Sequence, residues 1–145
     1  MPLILITVGI VYIVEEDCIG CGAVMYMQGE QGGLAAQTRI VSQAAAVSPR
    51  MLLEELFFGP IAAETHASAL PAGVSALDVL GVSVADGIAG VNLSGNAYRR
   101  FQSLDEAGER NAAYAIVNTL CQLDEIRAVK IYIEGASTER MRDLK

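Results

Sequence analysis

The chain has 145 residues, 52% of them apolar and 19% charged, and a formal net charge of −7. That length suits one domain able to bury a core. With an acidic balance and only two lysines, Lys130 and Lys145, it lacks the clustered cations a nucleic-acid surface needs to neutralise phosphates.

Met1 to Val14 reads MPLILITVGIVYIV, with no charge before Glu15-Glu16-Asp17. A spanning helix needs roughly 20 apolar residues, so this run is short, and a secretory signal would begin with Lys or Arg. Its β-branched residues suit a strand. Three readings stay open: a remnant of a signal or membrane segment, an extra strand, or residues ahead of the true start. Cys18-Ile19-Gly20-Cys21 follows. A Cys-x-x-Cys pair serves redox chemistry or half of a zinc site, but no second pair follows, and His66 and Cys121 stand alone. A redox pair would sit at a strand-to-helix junction, whereas the residues after Cys21 read as a strand. Lipid attachment at Cys21 is a third reading, because Gly20 is the small residue such processing prefers, although Cys18 stands where Leu is usual. A plain linker with incidental thiols is the fourth.

From Gly22 the pattern is regular. Ala23 to Met27 is a strand, Gln28 to Gly33 a glycine-rich turn, and Leu34 to Ser42 a returning strand. Ser48-Pro49 opens a helix whose Leu52, Leu53, Leu56 and Phe57 share one face, and Gly59-Pro60 ends it. Ile61 to Gly73 is a loop carrying the lone histidine, His66, which has only Glu64 and Thr65 beside it. Ala76 to Ala85 and Ile88 to Leu93 are strands joined by the hairpin turn Asp86-Gly87. Ser94-Gly95-Asn96 breaks the second strand, and Asn92-Leu93-Ser94 matches a glycosylation sequon of a kind common by chance. Arg99-Arg100 reads as a solvated face. The helix from Asp105 carries Ala113, Ile116, Val117, Leu120 and Cys121 at intervals of three and four, with Asp105, Glu106 and Glu109 at its positive end. Within it, Asn118-Thr119 has only modest helix propensity, which suggests hydrogen bonds to the next loop or a backbone edge, or else a ligand contact. Val129 to Ile133 is the last strand, closed by Glu134-Gly135.

Two hairpins and two helices in this order predict an α+β two-layer sandwich: a mixed β-sheet of about five strands with two helices packed on one face. Residues 1–21 form an apolar segment and linker, residues 22–135 the domain, and residues 136–145 a polar tail. No phosphate loop, no Ser-His-Asp set and no paired carboxylates point to catalysis, a cofactor or a metal.

Several short pieces, in order, resemble the GerMN domain of bacterial sporulation and spore-germination proteins and envelope lipoproteins. They are Leu52-Leu53 through Leu56, Phe58-Gly59-Pro60, Leu70-Pro71-Ala72-Gly73 and the stretch from Val84 to Ser94. Ala115 to Leu120 and Val129 to Gly135 complete them. The resemblance implies a non-catalytic binding or assembly module outside the cytoplasm, held at the membrane by an N-terminal segment or a lipid. Its expected partners are envelope or sporulation proteins or further copies of itself. Two other readings remain: a ligand-binding protein using His66, Asn118 and Thr119, and a thiol-dependent enzyme using Cys18 and Cys21.

Overall fold

The computed structural model describes residues 20–134 in full, and the strand backbone of residues 2–7, 10–15 and 136–137. Cys18 and residues 138–145 of the polar tail lie outside the described residues. In the apolar N-terminal run, β1 (Pro2–Thr7) and β2 (Ile10–Glu15) pair antiparallel, from Pro2 opposite Glu15 to Thr7 opposite Ile10.

The first expected hairpin is β3 (Cys21–Gln28) and β4 (Leu34–Val41), paired from Cys21 opposite Val41 to Gln28 opposite Leu34. Alternation on β3 buries Ala23, Met25 and Met27, and cross-strand neighbours share a face, so the register turns Arg39 and Val41 of β4 inward as well. Ile40 then points outward, 71% exposed, with its side chain lying across Gly20. A Cβ added at Gly20 would meet Ile40 Cγ2, so a larger residue there would have to displace the Ile40 side chain.

Two short helices follow. Ser42 caps α1 (Gln43–Val47) by accepting the Ala45 N–H, and Ser48 both ends α1 and caps α2 (Pro49–Phe58), with Pro49 in the first turn. One face of α2 buries Leu52, Leu53, Leu56 and Phe57. Gly59, at φ 91°, ends the helix in a conformation that L side chains rarely adopt. The stretch expected as one strand from Ala76 begins instead with a 3-10 turn, Ala76–Asp78, capped by Ser75, and only then becomes β5 (Val79–Ala85). Asp86 (φ 54°) and Gly87 (φ 78°) form the two-residue turn into β6 (Ile88–Leu93), both left-handed as a type I′ hairpin requires.

Ser94, read as a strand breaker, is the N-cap of a further helix, α3 (Gly95–Gln102), whose Ala97 and Phe101 face the core. Asp105 caps α4 (Glu106–Cys121), its carboxylate accepting the Gly108 N–H at 2.7 Å. Because the connection from β6 to β7 (Ala128–Ile133) runs through α3 and α4, the chain returns in the same direction, and β6 and β7 pair in parallel. The two-residue β8 (Ala136–Ser137) continues that sheet antiparallel to β7, giving the order β5-β6-β7-β8.

The fold is α+β, and the five anticipated strands are β3 to β7. They form two ladders, β3-β4 and the mixed sheet, and the reason is visible at the far edge of β3. There the Val24 N–H donates to Gln122 Oε1 (3.0 Å) and its carbonyl accepts from Gln122 Nε2 (2.8 Å), while the Gln28 N–H donates to the Ala67 carbonyl (2.9 Å). These groups of Val24 and Gln28 are therefore not open to another strand. Helices α2 and α4 pack together, and α4 also covers β3 and β7. Met25, Leu52, Leu56, Val91, Phe101, Ile116 and Leu120 at the centre are at most 2% exposed.

Candidate functional site

Arg39 occupies a strand position where alternation calls for an apolar residue, and it is 3% exposed. Burying a guanidinium is tolerable only if its charge and all its N–H groups find partners. They do. Nε and Nη2 form a two-pronged pair with Glu64, Nη1 donates to the Glu55 carbonyl (2.9 Å) and the Glu55 carboxylate (3.4 Å), and Nη2 donates to the Gly59 carbonyl (2.8 Å). Glu64 also accepts the Ile61 N–H at 3.1 Å, closing the turn after α2. The hydrogen bond from Arg39 holds the Glu64 carboxyl below its ordinary range against the opposing effect of burial, and the same bond raises Arg39. Here β4, the C-terminal end of α2 and the following loop are fastened together.

A second buried acid, Asp78, fastens the other side. Burial pushes its carboxyl up, but hydrogen bonds from the Ser94 hydroxyl, the Ser75 N–H and Asn96, together with the Arg100 charge, outweigh burial and hold it below the usual range. Oδ2 accepts from the Ser75 N–H (2.8 Å), Oδ1 from Ser94 Oγ (2.5 Å), and Asn96 Nδ2 reaches both Asp78 (3.2 Å) and the Gly73 carbonyl (3.3 Å). The sequon's hydroxyl, Ser94 Oγ, therefore serves Asp78 and the α3 cap. Glu64 and Asp78 are thus engaged in the scaffold, and of the acids in the two clusters it is Glu55, its side chain 38% exposed, that reaches solvent.

An open groove lies on the outer side of α2. It has a volume of about 450 Å³ and is lined by Met51, Glu54, Glu55 and Phe58 of that helix, by Ala45 of α1 and its N-cap Ser42, and by Ile61 and Ala76. Phe58 is 70% exposed and Leu77, next to Ala76, is 89% exposed. Large apolar side chains grouped in solvent at a concave site mark binding surfaces more often than bare scaffold.

The sequence-derived candidates do not converge. Cys21 opens β3, half-buried and opposite Val41. His66 is half-buried in the loop that meets β3 at Gln28. Asn118 is half-buried on α4; Thr119 is wholly buried, and its Oγ1 is the one buried side-chain polar atom without a hydrogen-bond partner among the described residues. The backbone-edge bond considered for Asn118-Thr119 is made one turn later by Gln122, which also donates to the Thr119 carbonyl at 2.7 Å. Gln122 meets β3 at Val24, and the His66 loop meets it four residues further on, at Gln28, ~13 Å along the strand. Cys121 lies half-buried at the end of α4, where burial pushes its thiol up, away from the thiolate a nucleophile needs. No group of three or more His, Cys, Asp or Glu placed to hold a metal occurs among the described residues.

A family model described as "Germane: Sporulation and spore germination" matches residues 24–139, from β3 through the end of the mixed sheet. The chain belongs to the Germane family. Among solved structures, the tandem GerMN domains of the sporulation protein GerM from Bacillus subtilis superpose with a TM-score of 0.68 at 22% identity, covering 84% of this chain. This chain spans 42% of that tandem protein. The first GerMN domain of the same protein superposes at 0.65 and 22% identity, over 84% of this chain and 89% of the other. A "Putative Lipoprotein" from Clostridium perfringens superposes at 0.55 and 20% identity, over 87% and 83% of the respective chains. No curated protein matches the sequence.

The GerMN-like pieces of the sequence have separate jobs in this Germane domain. Leu52, Leu53 and Leu56 build core, and Gly59 stops α2. Gly73, at φ 89°, lies beneath the Arg100 guanidinium, and Gly87 beneath Arg127, whose Nη2 donates to the Asp86 carbonyl at 2.8 Å. Arg99 and Arg100 are exposed as expected, but Arg100 leans on Gly73 rather than into open solvent. Phe58 packs into no core; it stands at the end of the groove.

Proposed function

We propose that this Germane domain is a non-catalytic module that works outside the cytoplasm, in the bacterial envelope, by binding another envelope or sporulation protein. The observation that carries the reading is the family match over residues 24–139, described by sporulation and spore germination. Two structural features agree with it. The buried charges Arg39, Glu64 and Asp78 are all consumed in fastening the scaffold, and the open groove beside α2 sets the apolar side chains of Met51 and Phe58 around the carboxylates of Glu54 and Glu55. Likeness to the Clostridium perfringens protein supports the envelope assignment. No helix among the described residues is long and apolar enough to cross a membrane.

A C-terminal alkaline-phosphatase fusion made in the native cell tests the location. Activity in intact cells supports the reading, whereas a stable but inactive fusion overturns it.

A further inference from the structure

We infer that the outer stripe of α2 is a docking groove for an amphipathic, basic segment of a partner protein. The inference deepens the binding role proposed above and rests on it. Met51, Glu54, Glu55 and Phe58 recur at i, i+3, i+4 and i+7, so they form one continuous helical stripe, opposite the buried stripe of Leu52, Leu53, Leu56 and Phe57. A merely solvated face would be polar along its length. Here the two ends are apolar, with Met51 41% and Phe58 70% exposed, and Ile61 (40%) adds apolar surface to the lining beyond the helix. The ends lie seven residues apart, about 10 Å along the axis, which is two turns of a helix.

The middle of the stripe is acidic. Glu54 is matched by Arg50 at 2.9 Å. Glu55 is not matched in the same way, because Arg39 is shared between it and Glu64, two carboxylates to one guanidinium. Glu64 is sealed, at 3% side-chain exposure, while Glu55 is 38% exposed and is the part of that cluster that solvent and a partner can reach. The complementary occupant therefore carries two apolar anchors about two helical turns apart with a Lys or Arg between them. A second copy of this chain fits poorly, since it would bring a net charge of −7 to an already acidic groove. Anchors in pockets supply most of the energy of such contacts, and the charge selects the partner.

The test places the photocrosslinker p-benzoylphenylalanine at position 58 or, on another face, at position 84 of the full chain in its native cell. Val84 is 39% exposed on β5, the edge strand of the mixed sheet. The inference predicts a crosslink from position 58 to a different protein, at a segment with two apolar residues six to eight positions apart and Lys or Arg between them. That segment, synthesised and labelled, should bind the purified chain, and Phe58→Ser should weaken binding at least tenfold with the melting midpoint unchanged. Replacing the peptide's central Lys or Arg by Glu should weaken it by about as much. A crosslink from position 84 but not 58 overturns the groove and leaves the binding role standing, as does a crosslink from 58 to a second copy or to an acidic segment. Crosslinks from neither position overturn both.

Discussion

Replacing Arg39 by Ala would remove all five hydrogen bonds of the buried guanidinium at once. It would leave the Glu64 carboxylate, 3% exposed, without its counter-charge, and the Glu55 and Gly59 carbonyls without donors. Removing one partner of a buried pair costs about 3–5 kcal/mol, because the abandoned charge stays desolvated. Against a total stability of about 5–15 kcal/mol, that is a large fraction. At a urea slope of about 2 kcal/mol per molar, the midpoint should fall by roughly 2 M. The assay is urea unfolding followed by far-ultraviolet circular dichroism at pH 7. Removing both charges, as Arg39→Met with Glu64→Gln, should recover at least half of the loss. No buried charge is then left alone, and the amide oxygen of the substituted side chain can still accept the Ile61 N–H. A loss below about 1 kcal/mol for Arg39→Ala, or no recovery in the double variant, would refute the argument that this cluster fastens β4 to the end of α2.

Acid should act through the same groups. Glu64 and Asp78 both titrate below their ordinary values in the folded protein, so the unfolded chain takes up protons first as pH falls. Their stabilisation is complete above the ordinary carboxylate range and is lost as pH drops through the depressed folded values. Urea midpoints measured from pH 7 to pH 3 should decline, and less steeply in the Arg39→Met, Glu64→Gln double variant; equal slopes would contradict this. Asp78→Ala takes the acceptor from Ser75, Ser94 and Asn96 together and should cost about 2–3 kcal/mol by urea unfolding, with Asp78→Asn milder. Gln122→Leu unpins the edge of β3, and hydrogen exchange at the Val24 amide should accelerate at least tenfold while exchange at β6 amides changes little.

Local signals carried much of the fold. Ser48-Pro49, Gly59-Pro60, Asp86-Gly87 and the Asp105 cap are short-range devices, readable from neighbouring residues, and the structure uses each where it stands. What short-range signals leave open is decided by distant partners. On β4, the even positions Leu34, Ala36 and Ile40 are the more apolar set, yet pairing with the Met25 and Met27 face of β3 turns the odd positions inward, and Arg39 with them. Asp78 looked like one residue of a strand although its bond to the Ser75 N–H is local; its other partners, Ser94 and Asn96, are 16 and 18 residues away. Ser94 looked like a breaker because a polar residue after a strand can end it or cap a helix, and the burial of Ala97 and Phe101 settles which. Asn118-Thr119 drew attention through low helix propensity, while Gln122, an ordinary residue just past the helix, makes the bonds to β3. The helical phase that places Phe57 on the buried face turns Phe58 outward, but the residues that complete the groove, Ser42, Ala45, Ile61 and Ala76, come from outside α2 and only the fold assembles them.

The central claim, that this Germane domain works by binding a protein of the envelope, is tested most directly by quantitative affinity capture. A C-terminally tagged chain would be recovered from separated membrane and soluble fractions of the native cell, with Phe58→Ser as the paired control. The account predicts co-enrichment of an envelope or sporulation protein from the membrane fraction with the unaltered chain, and its loss with the variant. Recovery of the chain from the soluble fraction with no partner enriched would contradict it.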